Sequence, residues 1–100
     1  MTVNTQRKIN ILQEVAEDDA SLNLVLDKLL NVMRTQYASR LARYEADLRN
    51  FEARHGMASA AFYQQFEAGQ LGDTMDFFEW SGLFELWQDL QRKVHRLEAF

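Results

Sequence analysis

The absence of proline most constrains what this chain can fold into. Proline does not occur among the 100 residues, and only four glycines are present. Proline breaks helix interiors and glycine weakens them, so a chain that turns often usually carries many of both. This sequence is therefore predicted to form long uninterrupted helices, and we expect an all-α fold.

The composition excludes several kinds of protein. The chain has no cysteine, which excludes a disulfide-stapled secreted scaffold, a thiolate zinc site and a cysteine nucleophile. Apolar residues make up 47% and charged residues 26%, as in folded globular chains. This length predicts a single helical domain over residues 1–100. Met1–Leu12 lacks the apolar run of a signal peptide and no run could span a membrane, so we expect a cytoplasmic protein.

Apolar residues recur at helical spacing along most of the chain. Residues 1–4 are polar and are expected to be disordered. The predicted helices are 5–16, 21–55, 59–68 and 74–98.

Residues typical of helix ends support these limits. Gly56 and Gly69 are predicted to end the second and third helices, because glycine readily adopts the left-handed conformation found just after a helix. Small polar residues favour N-cap positions, since a side-chain oxygen can accept from a free backbone N–H. The expected N-caps are Ser21, Ser59 and either Asp73 or Thr74.

Two apolar stripes have the seven-residue repeat of paired helices. In the second helix the repeat consists of Leu30, Tyr37, Tyr44 and Phe51. In the last helix the stripe consists of Trp80, Leu83, Trp87, Leu90, Val94 and Leu97. The two stripes predict an antiparallel hairpin of two long helices, with a short connecting helix and a short N-terminal helix packed on it.

Residue patterns that could support catalysis or bind a metal are incomplete. Glu52 and His55 form an E-x-x-H pair, but a di-iron bundle needs a second such pair and two further glutamates. Asp73, Asp76 and Glu79 recur every three residues without the spacing of a calcium loop. Acids at a helix N-terminus and histidines near helix ends are expected from the helix dipole alone, with both histidines in contact with solvent. We expect no metal, no cofactor, no catalytic residue and no enzymatic activity.

Charge is unevenly distributed, although the whole chain has a net charge of only −4. Residues 56–91 contain six acids and eight aromatic residues but no lysine or arginine, whereas residues 28–54 contain six bases and three acids. The rings of the last helix cover well over half of its circumference, more than one antiparallel neighbour can bury. An apolar patch bordered by acids is typical of a protein-binding surface.

These rings and acids predict a surface that binds a basic protein partner. Nucleic acid and membrane are not expected partners, because the chain has no basic excess and no apolar span. The predicted partner-binding residues are Phe62, Tyr63, Phe66, Asp73, Asp76, Phe77, Phe78, Glu79, Trp80, Phe84 and Trp87.

Two segments, LARYEADLRNFEARHGM (Leu41–Met57) and AAFYQQFEAGQLGDTMDFFEWSGLFELW (Ala60–Trp87), together resemble a family of small, largely uncharacterised bacterial proteins. The family signature is YGM…FY..FE.GELGD..DFFEW..LYE, and many members are encoded beside a small putative toxin. His55 stands where the family usually has tyrosine, and Gln70 where it often has glutamate. The resemblance implies an antitoxin role for this chain, with the toxin as its partner.

Two other interpretations remain open at this stage. The stripe of Leu30, Tyr37, Tyr44 and Phe51 predicts a homodimeric structural or adaptor protein, which is compatible with the first interpretation. Alternatively, Ala16–Leu30 resembles the turn and second helix of a ribbon–helix–helix DNA-binding regulator. That fold needs a basic strand before its first helix, and Met1–Gln6 contains no basic residue, which argues against DNA binding.

Overall fold

The computed structural model describes residues 3–99, which form four helices joined by short turns. The helices are α1 (Val3–Val15), α2 (Asp19–His55), α3 (Ser59–Glu67) and α4 (Met75–Glu98). The described residues contain no strand, which confirms the all-α prediction. Val3 and Asn4, expected to be disordered, belong to α1, and Met1 and Thr2 lie outside the described residues.

The C-terminal ends of α2 and α3 are as predicted. Gly56 has a φ of +68° and Gly69 has a φ of +73°. Both values lie in the left-handed region, which is strained for residues that carry a side chain. The Gly56 N–H donates to the Glu52 carbonyl at 2.8 Å, and the Gln70 N–H donates to the Gln65 carbonyl at 2.9 Å. These bonds pair carbonyls that a helix end leaves without partners.

Two of the three predicted N-caps are wrong. Asp18 caps α2, because its Oδ1 accepts from the Ser21 N–H at 2.7 Å, and the helix begins two residues earlier than expected. Ala58 is the N-cap of α3 and supplies no side-chain bond. At α4 the prediction of Thr74 is confirmed, since its Oγ1 accepts from the Phe77 N–H at 3.2 Å.

The chain divides into two units, Met1–Met33 and Arg34–Phe100, and α2 contributes to both. Within residues 3–33 of the first unit no residue is buried. The second unit contains the hydrophobic core. Its buried apolar residues are Leu48, Phe62, Trp80, Phe84, Leu90 and Val94.

Within the second unit, α2 and α4 contact each other in antiparallel order. The Arg34 Nη2 donates to the Leu97 carbonyl at 3.0 Å near the end of α4. The rings of Phe51 and Trp80 stack with centroids 5.7 Å apart further along α2. α3 packs on α4 and closes the core from a third side.

The α4 stripe predicted to face inward does so. Trp80, Leu90 and Val94 are buried, and Leu83, Trp87 and Leu97 are half-buried. The seven-residue repeat therefore identified the face of α4 that packs within its own unit.

The described part of the segment that would have to form a DNA-binding strand is helical. Val3–Gln6 forms the first turn of α1, so the described part of the N-terminus lacks the strand that a ribbon–helix–helix fold requires. That interpretation is wrong for this segment.

No helix among residues 3–99 is both long enough and apolar enough to cross a bilayer.

Candidate functional site

An aromatic stack around Trp80 occupies the centre of the second unit. Trp80 and Phe62 are both 0% exposed, and their rings stack with centroids 3.7 Å apart. Phe51 stacks on Trp80 at 5.7 Å, and His55 at 5.4 Å. Three helices thus contribute rings to one cluster, which positions the start of α4 against α2 and α3.

A chain of hydrogen bonds satisfies the buried indole N–H of Trp80. Its Nε1 donates to Ser59 Oγ at 2.9 Å, and Ser59 Oγ donates to Glu52 Oε2 at 2.8 Å. The same Glu52 oxygen accepts from the Ser59 backbone N–H at 2.9 Å. Glu52 therefore supplies the N-terminal cap of α3 from a neighbouring helix, which explains why Ala58 needs no capping side chain.

The Glu52 carboxylate is ionised more readily than usual. Burial raises the pKa of Glu52, but the hydrogen bonds from Ser59 and the charge of Arg49 outweigh burial and lower it overall. The E-x-x-H spacing indicated Glu52 only as a possible metal ligand and gave no sign of its capping role. The available signal was that a core tryptophan needs an acceptor for its N–H.

A second polar contact joins the end of α2 to the first turn of α4. Asp76 Oδ2 lies 2.5 Å from His55 Nε2, and Asp76 Oδ1 accepts from Arg54 Nη1 at 2.7 Å. His55 also packs edge-on against Phe77, with ring centroids 5.2 Å apart. His55 is therefore half-buried, and the expectation that it is a solvated histidine is wrong. Asp76, predicted to bind a partner, binds its own chain.

Acid is expected to weaken the link between α2 and α4. The hydrogen bonds from His55 and Arg54 lower the pKa of Asp76 below its usual 3.8. An acid whose pKa is lower when folded stabilises the fold above its unfolded pKa, and this contribution disappears as the pH falls through the folded value. We expect Asp76→Asn to be less stable than wild type at neutral pH, with the difference shrinking below about pH 5.

Urea unfolding of both proteins at several pH values would measure this difference. Asp73→Asn is the matched control, because Asp73 is exposed and makes none of these bonds. A constant difference between wild type and Asp76→Asn from neutral pH down to about pH 2 would contradict the assignment.

The predicted partner-binding residues fall into three groups. Phe62, Trp80 and Phe84 are buried, so they belong to the core and offer no surface to a partner. The expectation that α4 has more rings than its own chain can cover is wrong for Trp80 and Phe84, since α3 contributes a second layer of rings. The second group is half-buried and consists of Tyr63, Phe66, Asp76, Phe77 and Trp87. The third group is exposed and consists of Asp73, Phe78 and Glu79.

The residues of the predicted dimer stripe are also partly buried in the single chain. Leu30, Tyr37, Tyr44 and Phe51 are all half-buried. Phe51 packs against the core and is stacked on Trp80. At its C-terminal end the stripe is therefore used by the monomer.

A smaller apolar surface remains on the outward side of α4. Met75 is 72% exposed, and Phe78 and Leu86 are each 55% exposed. Spacings of three, four and four residues place Met75, Phe78, Gly82 and Leu86 along one helix face. The α4 outer face, as we define it, consists of Met75, Phe78, Glu79, Gly82, Glu85 and Leu86. Of these residues, Phe78 and Glu79 were predicted from the sequence to bind a partner, and Met75, Gly82, Glu85 and Leu86 were not.

Gly82 has no packing reason within its own chain. A Cβ added there would meet no atom within 4 Å, and its φ is not in the left-handed region. Glycine inside a helix is about 1 kcal/mol less favourable than alanine. Gly82 therefore costs stability and leaves a gap in the α4 outer face where another backbone can approach closely.

The α4 outer face is bordered by negative charge. Glu79 and Glu85 are exposed, and residues 56–91 contain no lysine or arginine. The Tyr63 hydroxyl donates to Glu85 Oε1 at 2.7 Å, and this bond raises the pKa of Tyr63 to about 12. Asp89, further along, is paired with Lys93 at 3.1 Å, and Asp76 is paired with Arg54 at 2.7 Å, so Glu79 and Glu85 supply the negative charge that borders this face.

The cleft between α2, α3 and α4 is small. It has a volume of about 210 Å³ and lies beside Glu52, Ser59 and Trp87, whereas ligand pockets usually measure 300–1,000 Å³. Among residues 3–99 no three His, Asp or Glu side chains are grouped to hold a metal ion. The exposed surface of α4 is therefore a stronger candidate site than this cleft.

Comparison with known proteins found no relative of this chain. No protein-family model matches the chain, and neither the curated proteins nor the solved structures include a significant match.

Proposed function

We propose that this protein is a non-enzymatic protein-binding module of antitoxin type, which neutralises a basic protein partner through the α4 outer face. The observation that carries the proposal is the exposed stripe of Met75, Phe78 and Leu86 with Gly82 in its middle. An exposed apolar stripe is typical of a surface that binds another protein, and a glycine within the stripe lets another backbone approach closely.

The charge of this surface selects the class of partner. Glu79 and Glu85 border the stripe and are exposed, and residues 56–91 contain no lysine or arginine. Opposite charges across an interface speed association and exclude partners of like charge. A small toxin of ribonuclease type has a basic RNA-binding face, which an acidic helix can block by imitating phosphate charge. The sequence resemblance to bacterial antitoxin-like proteins supports the same choice.

The rest of the fold serves as a scaffold in this proposal. α2 and α4 form an antiparallel hairpin, α3 connects them, and the protein works in the cytoplasm beside its partner. Two polar groups near the core have structural partners, since Glu52 binds Ser59 and His55 binds Asp76. These pairings support a role in binding over a role in catalysis.

The proposal is tested with the product of the neighbouring reading frame, purified and titrated by calorimetry. We expect tight binding by wild type and at least about 30-fold weaker binding by Phe78→Glu, the size typical of an interface hot spot. Gly82→Leu should also weaken binding while raising the stability of the free protein, because leucine favours a helix more than glycine does. Opposite effects on stability and binding separate a contact residue from a merely structural one.

Leu24→Glu is the matched control, because Leu24 is an equally exposed apolar residue, 57% accessible, in the first unit. It should leave binding unchanged. Higher salt should slow association, since exposed charges are screened at short range. Failure of the neighbouring product to bind, or binding that survives both Phe78→Glu and Gly82→Leu, would overturn the proposal.

A further inference from the structure

A second apolar seam on α2 lies outside the core and outside the α4 outer face. The α2 seam, as we define it, consists of Leu22, Val25, Leu29 and Val32, at spacings of three, four and three residues. Val25 is 50% exposed, and Leu29 and Val32 are each 53% exposed. No residue is buried within residues 3–33, so the described part of the first unit leaves this seam facing solvent.

The α2 seam differs from the stripe that contains Leu30 and Phe51. At 3.6 residues per turn the two stripes lie roughly 90° apart around the helix. A helix with two apolar seams is typical of a position between two neighbouring helices. Leu30, Tyr37, Tyr44 and Phe51 are half-buried, whereas three of the four seam residues are exposed. The α2 seam therefore lacks a neighbour in the described chain.

Charge along the same stretch of sequence favours a second copy of this chain as that neighbour. Residues 14–27 contain five acids and no base, and residues 28–43 contain four bases and no acid. α2 begins at Asp19, so an antiparallel pair of α2 helices places the acids at residues 17–19 of each copy near the basic stretch of the other. A parallel pair would place like charges together, which is destabilising.

We infer that two copies of this chain associate through their α2 seams in antiparallel orientation. The seam is self-complementary in this orientation, as a two-fold interface requires. Leu22 of each copy lies opposite Val32 of the other, and Val25 lies opposite Leu29. Arg40, which is exposed, lies beside the acidic start of the other copy's α2. This inference does not depend on the proposed function, because the α2 seam shares no residue with the α4 outer face.

The association is expected to be weak, since four side chains from each copy form a small interface. Sedimentation equilibrium over a dilution series should show a mass approaching twice 11.7 kDa at high concentration and 11.7 kDa at low concentration. Leu29→Glu should remain at 11.7 kDa throughout the same series. Circular dichroism should show unchanged helicity, because Leu29 is exposed and its replacement leaves the core intact.

Leu24→Glu is again the matched control. Leu24 is as exposed as Leu29 but lies roughly 120° from the α2 seam around the helix, so this variant should associate like wild type. Arg40→Glu should weaken association, and the weakening should diminish in high salt. A chain that is monomeric at every concentration, or a dimer that survives Leu29→Glu, would overturn the inference.

Disulfide trapping tests the orientation directly, because the chain has no cysteine of its own. Leu22→Cys and Val32→Cys are prepared as separate proteins and oxidised alone and as a mixture. Antiparallel pairing predicts a mixed disulfide between the two variants and little cross-linking of either alone. Efficient cross-linking of each variant with itself would show parallel pairing and contradict the inferred interface.

Discussion

Replacing Trp80 with alanine is expected to lower the free energy of unfolding by about 4 kcal/mol, because large aromatic residues lost from cores typically cost 3–5. Trp80 is 0% exposed, its ring stacks on Phe62 at 3.7 Å, and its N–H is hydrogen-bonded. Small domains have total stabilities of only about 5–15 kcal/mol. We therefore expect Trp80→Ala to lose a large share of the protein's stability, with a much lower unfolding midpoint in urea or on heating.

Phe78→Ala is the matched control for this experiment. Phe78 lies two residues earlier on α4 but is 55% exposed, and surface substitutions usually change stability by less than about 0.5 kcal/mol. Phe78 makes an edge contact with Phe66, with centroids 5.6 Å apart, so a slightly larger loss is acceptable. Similar losses for the two variants would contradict the assignment of Trp80 to the core and Phe78 to the surface.

Replacing Ser59 with alanine is expected to destabilise the protein by about 2 kcal/mol, within the range for stranding a buried donor. The substitution removes the acceptor of the Trp80 N–H and one donor to Glu52. The indole N–H then stays in the core without a partner, while the backbone N–H of residue 59 still reaches Glu52. Urea unfolding followed by circular dichroism measures the loss.

Ser81→Ala provides the comparison, because Ser81 is also buried, at 6% exposure, but takes no part in this chain of bonds. Alanine has the higher helix propensity, so Ser81→Ala should be neutral or slightly stabilising. If Ser59→Ala were equally harmless, the hydrogen bonds from Trp80 through Ser59 to Glu52 would have no net energetic role.

The helix limits could be read from the sequence where the backbone conformation itself selects the residue. Gly56 and Gly69 marked the ends of α2 and α3, because their positive φ values disfavour other residues. N-caps were harder to predict, since several residue types can fill them. Asp18 caps α2 in place of Ser21, and the cap of α3 comes from Glu52 on another helix. A bond between helices leaves no local pattern in the sequence.

The candidate site was predicted only in part for a related reason. Periodicity showed which face of α4 contains Trp80 and Leu90, and that face is the buried one. It could not show that α3 would add Phe62 to the stack on Trp80. Because the added ring covers part of α4, the exposed surface of α4 is smaller than predicted and is limited to the face that contains Phe78 and Gly82. Gly82 was not predicted to belong to the site, since the role of an isolated glycine can be inferred only when the space around it is known.

The cap that Glu52 provides for α3 constrains the order in which the chain assembles. A helix of nine residues is too short to persist alone in water, and its first N–H is bound by a carboxylate from α2. The serine that donates this bond is also the acceptor for the Trp80 N–H of α4. α3 is therefore capped by a side chain of α2, the helix before it, and its rings are buried against α4, the helix after it. The three helices are expected to fold and melt as one cooperative unit, with α3 never formed on its own.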